Sequence, residues 1–155
     1  MLRSYEDLQA YFQREQIRFV AVPEHHAVEL EVSVLPATGT MIIFWHPQPQ
    51  LLQLIFILAC PVPPERLAAL ESALIRCNHA LMIPGFGFNH DDQTIHYRLT
   101  LPRQLDGGIE DAELKQALHI AMTTVRNFWT PLQRLLHEGL PPEQLLSSAS
   151  EKDDR

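Results

Sequence analysis

Between Val28 and Val34 apolar and polar side chains alternate without a break. Val28, Leu30, Val32 and Val34 fall on one side of an extended chain, and Glu29, Glu31 and Ser33 on the other. That two-residue period belongs to a strand with one dry face and one wet face. The same pattern returns near the middle of the chain, where Ile95, Tyr97, Leu99 and Leu101 alternate with His96, Arg98 and Thr100. Ahead of it, Gly85 and Gly87 interrupt an apolar run and Asn89-His90-Asp91-Asp92-Gln93 supplies turn formers, so Ala80 to Pro102 reads as a helix end entering a β-hairpin. The two glycines are expected where a bulged or sharply twisted strand lets another backbone approach closely.

Other segments carry the helical period. Tyr5, Leu8, Tyr11 and Phe12 recur on one face after a capping pair, Ser4 and Asp7, and predict a short amphipathic helix to about Gln16. Ile17 to Val22 has the composition of a strand, and Thr40 to His46 follows the Pro36-to-Gly39 turn signal as another. Leu51 to Cys60 is apolar at nine of ten positions, which predicts a central strand covered on both faces. Pro61, Pro63 and Pro64 then open a helix with Leu67, Leu70, Leu74, Cys77 and Leu81 in one stripe. A long helix over about Glu110 to His137 carries the seam Leu114, Leu118, Ala121, Val125, Phe128, Leu132 and Leu135, and Pro131 inside it predicts a kink near 126–130 or two helices in series. The reading is α+β, an antiparallel sheet flanked by helices in the order α-β-β-β(-β)-α-β-β-α. A single domain is expected over 1–140, with a polar, flexible tail over 141–155.

Composition narrows the function. With 155 residues, 46% of them apolar, the chain can bury a core without a metal or disulfide staple. Cys60 and Cys77 lie on apolar elements and read as buried thiols, which favours a reducing, cytoplasmic setting. The first residues lack the apolar centre of a signal peptide, and the run from Leu51 to Pro64 is too short and interrupted to span a bilayer, so no membrane association is expected. A net charge of −7, with 12 Lys and Arg scattered singly, argues against nucleic acid as a partner.

Catalytic and metal motifs are sparse. His25, His26, His46, His79 and His96 invite a metal reading, yet no His-x-x-x-His or Cys-x-x-Cys spacing occurs, so no metal or cofactor is expected. Asp91 and Asp92 lack the acid spacing of a calcium loop, and Gly85-Phe-Gly87 lacks the third glycine or lysine of a phosphate loop. Cys77-Asn78-His79 are consecutive on a helix and diverge by ~100° per residue. Glu29 and Glu31 share a strand face, where an acidic, solvated surface is the simpler reading. No enzyme is expected.

Leu74-Ile-Arg-Cys-Asn78, Pro84-Gly-Phe-Gly-Phe88, Ile95-His-Tyr-Arg-Leu-Thr-Leu-Pro102 and Phe128-Trp-Thr-Pro-Leu-Gln-Arg-Leu-Leu-His-Glu-Gly139 together resemble the YbjN-like family, whose domain has the type III secretion chaperone-like fold. The likeness covers about Ser4 to Gly139 and is closest from Leu74 onward. It departs from the family pattern in the apolar strand before Pro61 and in the Pro47-Gln-Pro49 loop. The resemblance implies a non-enzymatic α+β domain, often dimeric, whose secretion relatives hold extended segments of clients, with family members described as regulators or chaperone-like adaptors.

The first expectation is therefore a module that binds a protein or peptide client and forms a homodimer, because its apolar inventory exceeds what one small domain covers. The alternative is a small-molecule-responsive regulatory domain with a pocket between the sheet and the last helix. The candidate contact or pocket residues are Trp45, Phe86, Phe88, Tyr97, Phe128 and Trp129, for which core packing is the simpler explanation.

Overall fold

The computed structural model describes residues 1–104 and 106–150. Its centre is a six-stranded antiparallel sheet in the order β1-β2-β3-β4-β6-β5, with β1 Val20–Val22, β2 Ala27–Val34, β3 Ala37–His46, β4 Leu51–Leu58, β5 Phe86–Asn89 and β6 Thr94–Pro102. Four helices accompany it: α1 Tyr5–Arg14, α2 Leu67–Ala80, α3 Asp111–His137 and α4 Leu145–Ser150. The fold is α+β. The strand at the start is shorter than its apolar content predicts, and β3 begins at Ala37, because the turn is confined to Leu35 and Pro36.

Local chemistry sets the element ends. Ser4 Oγ accepts from the Asp7 amide at 3.2 Å, and the Asp7 carboxylate accepts from the Arg3 amide at 2.8 Å. Glu110 and Glu113 form a reciprocal capping box at the start of α3. At its far end the Arg66 guanidinium donates to the Leu135 carbonyl at 2.9 and 2.6 Å, placing a cation at the negative pole of the helix.

The core lies on one side of the sheet. Val28, Leu30, Met41, Ile43, Leu52, Leu54, Phe56, Ile95, Tyr97 and Leu99 all point to that side, where α2 and α3 cover them with Leu70, Leu74, Leu118, Val125, Phe128 and Leu132. The expectation of a β4 covered on both faces is corrected here. Leu52, Leu54, Phe56 and Leu58 are buried, while Leu51, Gln53, Ile55 and Ile57 are only half-buried on the other side. Flanking strands and neighbouring side chains shield them in part, and no described helix lies over them.

Two further expectations change. α3 runs unbroken through Pro131, which is buried. The proline removes one helical hydrogen bond, but Phe128, Leu132 and Leu135 on either side dock on the same core and hold both halves on one path. Nor does the chain trail off after Leu140. A 3-10 turn, Pro142–Gln144, leads into α4, Leu145 is fully buried, and α4 packs on α3 and α2. Residues 151–155 of the expected tail lie outside the described residues.

Candidate functional site

β6 is more than twice as long as its neighbour β5, and this mismatch creates the site. Pairing between them runs from Asn89↔Thr94 to Phe86↔Tyr97, and the Arg98 amide donates to the Gly85 carbonyl at 2.8 Å. Asn78, at the end of α2, then turns the incoming chain away. Its Oδ1 accepts from the amides of Gly85 at 3.0 Å and Phe86 at 2.9 Å, and its Nδ2 donates to the Phe86 carbonyl at 2.7 Å. The Tyr97 hydroxyl donates to the Ile83 carbonyl at 2.9 Å and anchors the same segment. Gly85 is required here: a Cβ would lie 2.1 Å from the Arg98 carbonyl oxygen.

Beyond Arg98, β6 pairs with β4 on one side only. In an antiparallel ladder, alternate residues aim their backbone groups at opposite neighbours. Since Arg98 bonds toward β5, the N–H and C=O of exposed Thr100 point the same way, and among the described residues no backbone group meets them. Two clefts flank this free edge. One, of about 450 Å³, is bordered by Asn78, Pro84, His96, Arg98 and Thr100. The other, of about 340 Å³, lies between β6 and α3 and is bordered by Leu101, Ile109, Glu113, Gln116 and Ile120. Ile83 and Leu99 contribute to both. Next to Ile83, Met82 is 100% exposed, so the rim is apolar.

Burial pushes the His96 imidazole below its ordinary value, and neighbouring Arg98 adds to the effect. A third cleft, of about 430 Å³, borders the other free edge, where β2 outruns β1, but Glu29 and Glu31 line it. Charged residues of this kind guard a strand edge against pairing.

The six aromatic residues singled out in the sequence are not gathered at one place. Phe86 packs edge-on against Tyr97 at 5.1 Å and Phe128 at 5.4 Å, inside the core. Phe88 meets His90 at 5.0 Å near the hairpin turn, and Trp129 is half-buried on α3. Trp45 lies four residues along β3 from Met41, the residue aligned with Phe86 across the sheet, a separation of ~14 Å at strand rise. Its ring carries the Arg103 guanidinium at 4.1 Å. Of the six, Phe86 reaches the first cleft, and none lines the cleft between β6 and α3. The sequence reading missed Ile83, Leu99 and the clamp role of Asn78 as parts of a site; Pro84-Gly85, which cuts the strand before the turn shorter than the one after it, is the signal that could have located the free edge.

The histidines are also dispersed, with His25 and His26 at the β1–β2 connection and His46 stacked on Phe44 at 5.7 Å. Among the described residues, no group of three or more His, Cys, Asp or Glu is placed to hold a metal ion. No described helix is long and apolar enough to cross a membrane.

The sequence profile of the YbjN family, described as "Putative bacterial sensory transduction regulator", matches residues 4–134. The chain belongs to the YbjN family. Among solved structures, it is similar to that described as "Crystal structure of YbjN, a putative transcription regulator from E. coli", with a TM-score of 0.60 and 11% identity over 81% of this chain and 90% of that one. At that identity the likeness concerns the fold. Comparison with curated proteins gave no match. The YbjN family's description is a regulatory one, and the free edge of β6 lies inside the matched region.

Proposed function

We propose that this YbjN-family protein is a non-enzymatic regulatory adaptor of the cytoplasm that acts as a homodimer and binds an extended segment of a client protein along the free edge of β6. The observation that carries the reading is the unpaired backbone of Thr100 between two clefts. A peptide laid antiparallel to β6, in line with β5, would pair with that backbone. Alternate side chains would then enter the cleft beside His96 and the cleft beside Ile120, giving affinity from main-chain bonds and selectivity from pockets.

Amide hydrogen exchange tests this with peptides selected from a random display library. Bound peptides with alternating apolar residues should slow exchange at the Thr100 amide and leave Glu31, on the acidic edge, unchanged. Thr100→Pro, which removes the outward N–H at a position where an edge strand tolerates proline, should abolish binding. Failure to select any peptide, or protection at Glu31 alone, would overturn the reading.

A second reading rests on the cleft of about 340 Å³ between β6 and α3, apolar through Leu101 and Ile120 and polar at Glu113 and Gln116. Such a cavity suits a small regulatory ligand. A metabolite that raises Tm in the native protein, and no longer does so in Ile120→Trp, would favour it over the peptide.

A further inference from the structure

The two clefts that flank the free edge of β6 differ in charge. Cross-strand partners share a face of the sheet. A peptide residue paired with Thr100 therefore points to the side of His96 and Arg98, and its neighbour, paired with Leu101, points to the core side and α3. On the outer side the cleft is bordered by Arg98 and His96 and by no carboxylate. Arg98 is exposed and takes part in none of the ion pairs among the described residues. Its neighbours on that face are His96 and Thr100 along β6 and Ile55 across on β4, and the flanking β4 residues Gln53 and Ile57 are uncharged as well. Thr100 adds a donor: its hydroxyl oxygen accepts from Gln53 Nε2 at 3.2 Å, which leaves its own O–H to give away. On the core side Leu99, Leu101, Ala117 and Ile120 make the border apolar. Glu113 is the one charged residue there, and its Oε2 already accepts from the Glu110 amide at 2.8 Å.

We infer that the client segment places a carboxylate side chain on the residue paired with Thr100 and an apolar side chain on the residue paired with Leu101. This rests on the client reading above and gives that client its chemistry. Arg98 lies diagonal to the incoming carboxylate, two positions along β6, a separation that long side chains bridge. Guanidinium and carboxylate then form parallel, charge-assisted hydrogen bonds, and the Thr100 O–H closes on the same group. A cationic side chain in that place would be repelled by Arg98. An acid shifted by one residue would enter the apolar cleft beside Glu113 and lose its hydration with no cation to replace it. Charge and register are thereby read together.

The net charge of −7 opposes an acidic peptide at long range. Physiological salt screens that field beyond ~8 Å, so the cation beside the bound residue decides. The other free edge, beyond β1, is bordered by Arg18 as well as Glu29 and Glu31, and these opposed charges give it no preference for an acid.

Peptides selected from the random display library against the full chain supply the probe, and fluorescence anisotropy of a labelled peptide that protects the Thr100 amide measures affinity. Selected sequences should be enriched in Asp or Glu next to an apolar residue. Replacing that acid by Gln should weaken binding about tenfold, and Arg98→Gln should do the same. The two changes together should cost little more than either alone, the mark of one direct contact. Arg98→Glu, an exposed change whose folding circular dichroism verifies, should shift the selected residue from acid to Lys. Arg18→Glu, at the other edge, is the control and should alter binding less than about twofold. Peptides that protect Thr100 without any preference for an acid, or losses that simply add when the two changes are combined, would overturn the inference and leave the client site standing. If no selected peptide protects Thr100, both fall.

Discussion

Replacing Asn78 by alanine removes the clamp that ends α2 and starts β5. Three hydrogen bonds are lost, two from the amides of Gly85 and Phe86 and one to the Phe86 carbonyl, all part-buried. At a net ~1 kcal/mol each, the loss is about 3 kcal/mol. For a domain of this size that lowers Tm by roughly 6–12 °C. Urea denaturation followed by circular dichroism should show a lower midpoint at an unchanged slope, because the area buried on folding is nearly the same. His79→Ala, one residue on and exposed, is the control and should stay within about 0.5 kcal/mol of wild type. Asn78→Asp keeps an acceptor for both amides but sets a second oxygen against the Phe86 carbonyl. It should therefore resemble alanine at pH 7 and recover stability as acid protonates the carboxyl. A loss below about 1 kcal/mol in Asn78→Ala would refute the clamp and, with it, the account of why β5 stops at Phe86.

Glycine substitutions should divide by geometry. Gly85→Ala meets the Arg98 carbonyl at 2.1 Å and should cost at least ~2 kcal/mol, whereas Gly139→Ala, with φ +78° and open space around it, should cost ~1 kcal/mol in thermal melts. Burial pushes the Cys77 thiol up to about 12 and raises that of Cys60 as well, so neither should react with a thiol reagent in the native protein at pH 8, and both should react in denaturant. Because burial and Arg98 hold the folded-state His96 value below its unfolded value of 6.5, the unfolded chain takes up the proton first. Stability of the monomer, measured at submicromolar concentration, should fall as pH drops below about 6.5, and His96→Gln should flatten that slope.

Up to Leu140 the periodicities were sufficient for the kinds of element and their order, since alternation and the helical repeat report local backbone geometry directly; the short α4 beyond it carries too few residues to show a stripe. α2 and α3 lie where their stripes predict, and the Asn89-to-Gln93 turn closes the hairpin as its residues require. The apolar run of β4 was misleading because its half-buried outer side chains are as hydrophobic as its core ones. Leu54 and Ile55 are indistinguishable in sequence, and only the placement of both large helices on one side separates them.

What the chain determined alone was an α+β domain with a continuous apolar core face and a hairpin closed by the polar Asn89-to-Gln93 turn. Tertiary structure decided which side of the sheet stays open, that Glu29 and Arg98 end up in one row though 69 positions apart, and that β6 outruns β5. The reason is that a free edge and an uncovered face are properties of how elements of unequal length are assembled. No local spacing of residues encodes them.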